Sequence, residues 1–203
     1  MANILLTCKL YLAVYVRKKR IREGVKPLIN RGLTIEKNFQ FEKGMLIDKI
    51  YPHLITIGDD VIFSADVKIL AHDAGLRNIM GIVRIGHVTI GNRVFVGLGT
   101  KILPNVTIGD DVIIGAGSVV SRNLPAGTVC AGSPARVLCT LDEYKNRILC
   151  NKEEYPIYEF DKDPLKMTKE EKENQKEELK STIGLKKAVN YKLFNSLEEE
   201  NNE

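Results

Sequence analysis

TIGDDVI, Thr56 to Ile62, recurs letter for letter from Thr107 to Ile113, and a near copy, TIGNRVF, stands at Thr89 to Phe95. The last two copies begin 18 residues apart, the first two 33 apart. Stepping by six from Ile90 meets Val96, Ile102, Ile108, Ile114 and Val120, an unbroken aliphatic series. Four residues after each stand Val94, Thr100, Val106, Val112, Ser118 and Leu124, and glycine follows the aliphatic residue at Gly91, Gly97, Gly109 and Gly115. A helix places apolar residues three and four apart and a half-buried strand places them two apart. A period of six locked to glycine instead describes a chain that turns a corner every six residues. Three such hexads close a coil of about 18, whose aliphatic residues stack inside a triangular prism. The glycine, and the Asp or Asn after it, are expected to supply the backbone angles and turn hydrogen bonds of the corners.

Upstream, the same step gives Met45, Tyr51, Ile57, Phe63 and Ile69, a rougher series out of phase with the one downstream. The repeat is therefore broken between Ile69 and Ile90, where HDAGLRNIMGIVRIG begins at His72. A segment that leaves a regular scaffold and carries a His-Asp pair is expected to build a site.

The rest of the chain bounds the reading. With 203 residues, 44% of them hydrophobic and 28% charged, it suits one globular domain with appendages. A net charge of +4, with no basic patch interleaved with aromatics, does not point to nucleic acid. Cys8, Cys130, Cys139 and Cys150 make neither a CxxC pair nor a close-spaced framework, which suits a reduced, cytoplasmic protein. The apolar ILLTCKLYLAVYV is too short to span a bilayer and is followed by RKKR, Arg17 to Arg20. It reads as an amphipathic capping helix, with weak attachment to an anionic membrane surface as its other role. TKEE at Thr168 to Glu171 has the form of a capping box ahead of a charged helix. The expected organisation is a helical capping segment over 1–44, the prism over 45–139 with a loop around 72–86, and a charged helical extension over 140–203 with a disordered tail as its alternative.

Among the three histidines, His72 at the break is the candidate base, because imidazole titrates near working pH. His53 is expected to be structural, and His87 a surface corner residue with contact to an acceptor as its other role. Asp59, Asp60, Asp110 and Asp111 are explained by corner turns without a metal. A three-histidine zinc site is not expected, since His72 and His87 lie 15 apart on opposite sides of the interruption.

IGNRVFVGLGTKILPNVTIGDDVIIGAGSVVSRNLPAGTVCAGSPARVL, Ile90 to Leu138, resembles the C-terminal signature of hexapeptide-repeat acyltransferases, including galactoside, maltose and polysaccharide O-acetyltransferases. KILAHDAG, Lys68 to Gly75, resembles the catalytic segment of the sugar and capsule branch. The resemblance implies an all-β core, a left-handed parallel β-helix with helical extensions. It also implies a homotrimer with acetyl-CoA in clefts between neighbouring prisms. The implied reaction is O-acetylation of a carbohydrate hydroxyl in capsule, O-antigen or other polysaccharide assembly. His72 falls on the family's catalytic histidine, and Leu98 on the position whose backbone N–H faces the thioester carbonyl. Gly97 and Leu98 in VGLG, and Ala116 and Gly117 in IGAGS, match the cofactor wall along the pantetheine arm. Ser121, Arg122 and Arg136 match positions near the pantetheine and nucleotide end. Phe95 and Arg122 replace the commoner tryptophan and lysine. Asp73 is the sequence neighbour expected to orient His72, to bind acceptor, or to cap the loop. Two other readings stand beside this one: N-acetylation of an amino sugar or other amine, and a non-catalytic scaffold.

Overall fold

The structure, a computed structural model, describes residues 24–150, 154–158 and 166–186. Two compact units meet in sequence at Tyr144 and Lys145. The first is a three-faced coil of parallel strands, each two or three residues long in the repeating part. Its first face stacks Thr34–Ile35, Ile55–Ile57, Val88–Ile90 and Val106–Ile108. The second stacks Gln40–Phe41, Ile62–Phe63, Phe95–Val96 and Ile113–Ile114, and the third Leu46–Ile47, Lys68–Ile69, Lys101–Ile102 and Val119–Val120. Every coil visits the faces in that order.

The inward residues are the aliphatic series and its partners four residues on. Ile57, Phe63, Ile69, Val96, Ile102, Ile114 and Val120 are all fully buried. Buried Thr100 and Ser118 both donate their hydroxyl to the carbonyl of Gly115, at 3.2 and 2.6 Å, so neither leaves an unpaired polar atom in the core.

Register explains the repeated phrase. Thr56 pairs with Thr89 and Thr89 with Thr107, so the three copies are one face of successive coils. The first interval is 33 residues because 15 more than the coil of 18 leave the prism at the corner between the third and first faces.

Three expectations need correction. The prism begins at Thr34, not 45, because Thr34, Gln40 and Leu46 pair with Thr56, Ile62 and Lys68. The inward residues of this first coil are Ile35, Phe41 and Ile47 rather than Met45 and Tyr51. Ile35 and Ile57 are 22 apart, four more than a coil, and the extra residues are taken up in the stretch around the 3-10 turn Pro52–Leu54, which shifts the phase. The third correction concerns the corners. Gly109 has no left-handed φ; a Cβ there would lie 2.5 Å from the Ala126 nitrogen, so glycine serves close approach of the next coil. The left-handed conformation falls two residues later, on Asp60, Arg93 and Asp111, with φ of 57°, 55° and 58°.

The acidic residues of the phrase stitch the coils together. Asp59 Oδ1 accepts from the Lys37 N–H at 2.7 Å, Asn92 Oδ1 from the Asp59 N–H at 2.9 Å, and Asp110 Oδ1 from the Asn92 N–H at 2.8 Å. Each side chain thus satisfies a backbone donor of the preceding coil that has no strand partner. Arg93 adds a two-pronged pair with Asp111, at 2.7 Å for each contact.

At the far end, Thr128–Gly132 extends the second face and Ala135–Thr140 folds back antiparallel along it, covering the outer edge. Thr140 and Glu143 then form a capping box that opens the helix Leu141–Cys150. In the second unit, the expected capping box of Thr168 and Glu171 opens the helix Lys169–Glu178. Strands Ile157–Tyr158 and Leu185–Lys186 pair in parallel, and the Tyr158 hydroxyl donates to Glu178 at 2.7 Å. The apolar N-terminal stretch and RKKR lie outside the described residues, as does the acidic C-terminus. No helix among the described residues is long and apolar enough to cross a membrane.

Because the coil spacing leaves no room for a methyl group at Gly109, Gly109→Ala should lower unfolding stability by about 3 kcal/mol, the upper range for overpacking a tight site. Urea denaturation reads this directly, and an unchanged midpoint would show that adjacent coils separate freely.

Candidate active site

His72 leaves the prism after the third-face strand Lys68–Ile69. His72–Asp73 pairs antiparallel with Arg84–Ile85, and the short helix Arg77–Met80 turns the hairpin between them. The hairpin closes where the Gly86 N–H returns to the Ala71 carbonyl at 2.9 Å.

The imidazole is held by a residue the sequence reading did not select. His72 Nδ1 is hydrogen-bonded to Asp48 Oδ2. Asp48 is 2% exposed, and its oxygens also accept from the N–H groups of Ile50 at 2.8 Å, Tyr51 at 3.1 Å and Ala71 at 2.9 Å. Three backbone donors converge on this carboxyl, an arrangement that suits the ionised form, which only accepts. Nδ1 must then carry the proton, which leaves the Nε2 lone pair free to take one. Burial pushes the Asp48 pKa up, but the hydrogen bonds from His72, Tyr51, Ile50 and Ala71 together outweigh it and hold the carboxyl below its usual range. The Tyr51 ring packs beside the imidazole with centroids 5.6 Å apart. The extra residues that shift the first coil's phase therefore build the cradle of Asp48. The available signal was an aspartate directly after the inward Ile47, where the period of six slips by four.

Asp73 does not orient His72. Its Oδ2 pairs with the Arg84 guanidinium across the hairpin, and its Oδ1 accepts from the Gly75 N–H at 2.8 Å. Adjacent strand residues face opposite ways, so only one of the two could turn toward Asp48. The hydrogen bond to Arg84, then that from Gly75, lowers the Asp73 pKa.

The remaining residues divide between two edges of the third face. Gly97 and Leu98 turn the corner from the second face to the third, with Gly115, Ala116 and Gly117 stacked above them. The Gly97 N–H is taken by Ile114 at 2.8 Å and the Gly99 N–H by Ala65 at 2.9 Å, while Gly117 donates to the Leu98 carbonyl at 2.7 Å. The Leu98 side chain is 54% exposed on this otherwise small-residue spine. Arg136 continues it in the closing hairpin, paired in register with Ala131. Ser121 and Arg122 instead stand, exposed, at the corner from the third face to the first, the corner that carries His72. Crossing the face from Leu98 to Leu103 takes five residues, roughly 16 Å at about 3.3 Å each. One chain therefore does not bring His72 to Leu98 or Ala116. His53 lies in the 3-10 turn and His87 is an exposed corner residue whose carbonyl accepts from the Val106 N–H. No metal-binding cluster of His, Cys, Asp and Glu occurs among the described residues.

The lowered Asp48 pKa has a stability consequence of definite sign. Stability from the carboxylate is fully present above the unfolded value near 3.8 and is lost as pH falls through the lower folded value. Asp48→Asn should flatten that acidic limb of the urea-midpoint profile; an unaltered limb would mean that Asp48 is not ionised in the fold.

Residues 83–122 match the family described as bacterial transferase hexapeptide (six repeats). The chain is 33% identical over 116 residues to the putative acetyltransferase YvoF of Bacillus subtilis (strain 168), covering 57% of this chain and 65% of that protein. It is 39% identical over 104 residues to Protein CapG of Staphylococcus aureus, covering 49% of this chain and 60% of that protein. It thus spans less than two thirds of either relative's length. A maltose O-acetyltransferase structure from Clostridium difficile 630 is 31% identical with a TM-score of 0.46, over 58% of this chain and 75% of that one. The repeat of six and its corner glycines are what residues 83–122 have in common with the bacterial transferase hexapeptide family.

Proposed function

We propose that the protein is an acetyl-CoA-dependent O-acetyltransferase acting on a sugar hydroxyl, within polysaccharide assembly, as a cytoplasmic homotrimer of left-handed coils. The observation that carries the reading is the Asp48–His72 pair, set beside a hairpin on a repeat shared with an acetyltransferase relative. The acceptor class follows from the KILAHDAG segment.

In this reading His72 Nε2 takes the proton of the acceptor hydroxyl as its oxygen attacks the thioester carbon. The C–O bond forms, the carbonyl oxygen gains negative charge, and the Leu98 N–H of a neighbouring copy donates to it. Collapse breaks the C–S bond, and the imidazolium returns the proton to the departing thiolate, giving acetyl ester and free CoA. Asp48 keeps Nδ1 protonated and stabilises the imidazolium between the two transfers.

A second copy is required because His72 and the Leu98–Ala116 spine occupy opposite edges of the third face. The outward columns suit this assembly. The first face presents Thr34, Thr56, Thr89 and Thr107 and the second Ile62, Phe95 and Ile113, all uncharged, while the third carries Lys68 and Lys101. Packing the first face of one copy on the second face of the next leaves the third outward. It also joins a His72 corner to a Leu98 corner at the rim.

His72→Ala and Asp48→Asn should each lower kcat by roughly 10²- to 10⁴-fold with CoA affinity nearly intact, measured by thiol release and calorimetry. Activity with amino sugars alone would move the reading to N-acetylation, and absence of CoA binding would move it to a scaffold. Ala116→Trp should block CoA. Co-expressed with His72→Ala at equal levels, it should restore roughly a quarter of wild-type sites by random assembly. No recovery in verified mixed trimers would place both residues on one wall.

A further inference from the structure

The third face carries a feature that folding does not account for. Lys68 and Lys101 stand directly opposite each other on neighbouring parallel strands, where like charges destabilise a sheet. Lys49, directly after Asp48, adds a third charge. Lys49 and Lys68 form no ion pair among the described residues, and Lys101 reaches only the Gly99 carbonyl at 3.5 Å. Beneath them is a half-open cleft of about 380 Å³ between the helical residues 24–29 and the first coil. Its walls include Val25, Leu28, Met45 and Leu46, and Lys49 and Lys68 are the charged residues that line it. Leu46 remains 40% exposed there. The cleft is as polar as it is apolar, a lining that suits a ligand carrying both a charged group and a chain.

We propose that this cleft binds an anionic amphiphile, its hydrocarbon chain along Val25, Leu28, Met45 and Leu46 and its phosphate on Lys49 and Lys68, with Lys101 above. The position ties it to the chemistry. Lys49 is bonded in sequence to Asp48, and Lys68 lies four residues before His72 on the strand that enters the hairpin. The amphiphile is the acceptor itself, a sugar joined through phosphate to a lipid chain, whose sugar end then lies toward His72. That identity rests on the acetyl-transfer reading; the cleft's preference for a phosphate with a chain does not.

Calorimetry on the full chain tests the cleft first, with dodecyl phosphate below its micelle concentration, dodecyl maltoside and inorganic phosphate as probes. Dodecyl phosphate should bind at least tenfold more tightly than either control. Each methylene removed should weaken it roughly fourfold where the chain is buried. The double variant Lys49→Gln/Lys68→Gln should lose at least tenfold, whereas Lys43→Gln, outside the cleft, should not. Equal binding by the double variant, or by inorganic phosphate or the maltoside in the wild type, overturns the proposal. The second arm compares a free hexose with the same hexose linked through phosphate to a dodecyl chain, under acetyl-CoA turnover. The linked form should show a KM at least tenfold lower, an advantage lost in the double variant; equal KM values overturn the acceptor assignment. Turnover of neither hexose, with dodecyl phosphate still bound, would count against the acetyl-transfer reading and leave the cleft standing.

Discussion

Each coil of this protein must come back to within one β-ladder spacing of the coil below. That return, after 18 residues of prism and whatever chain is expelled, is what closes the parallel hydrogen bonds and stacks Ile57 on Ile90 and Ile90 on Ile108. A strand cannot absorb an extra residue without turning its inward side chains to solvent. Additional chain is therefore expelled at a corner. The two departures from the period of six, four residues before Ile57 and 15 before Ile90, both leave between the third face and the first. They lie on successive coils, so Asp48 and His72 meet. The pair at the centre of the candidate site is thus a product of the same constraint that builds the core.

Burying Asp48 carries a desolvation cost, which four hydrogen bonds offset. Three of them come from backbone N–H groups at corners, where the chain has stepped out of its ladder and needs acceptors. The carboxylate serves the fold by satisfying those donors and serves His72 by fixing its tautomer. An asparagine of the same shape would keep part of the first role and lose the second. Asp59, Asn92 and Asp110 do the first job alone on the corner between the first and second faces, with no histidine nearby.

From Ile57 onward the inward series, the coil length and the segment that leaves the prism could be read off the spacing of Ile, Val and Gly. So could His72, because it stands at the break. In the first coil Met45 and Tyr51 are apolar enough to pass for inward residues. The true set, Ile35, Phe41 and Ile47, keeps the same period shifted by four. That slip hid both the true start of the prism and Asp48, whose partner is 24 residues away. Asp73 was the natural choice by adjacency, but contact between coils is set by stacking rather than by sequence distance. The roles of Leu98, Ala116 and Arg136 came from resemblance, since a backbone N–H leaves no mark in the identity of its side chain.

The three outward columns make the prism a solid with three chemically different sides, each written by every third hexad. An outward residue can change without disturbing its inward neighbour, because the two point apart and pack against different surroundings. Threonine, apolar and lysine columns can therefore drift separately under selection while the interior stays the same. A lineage carrying such a coil can revise what one side recognises while conserving the other two. The sequence then has three nearly independent texts interleaved at a fixed period, only one of which needs rewriting for the protein to acquire a new ligand.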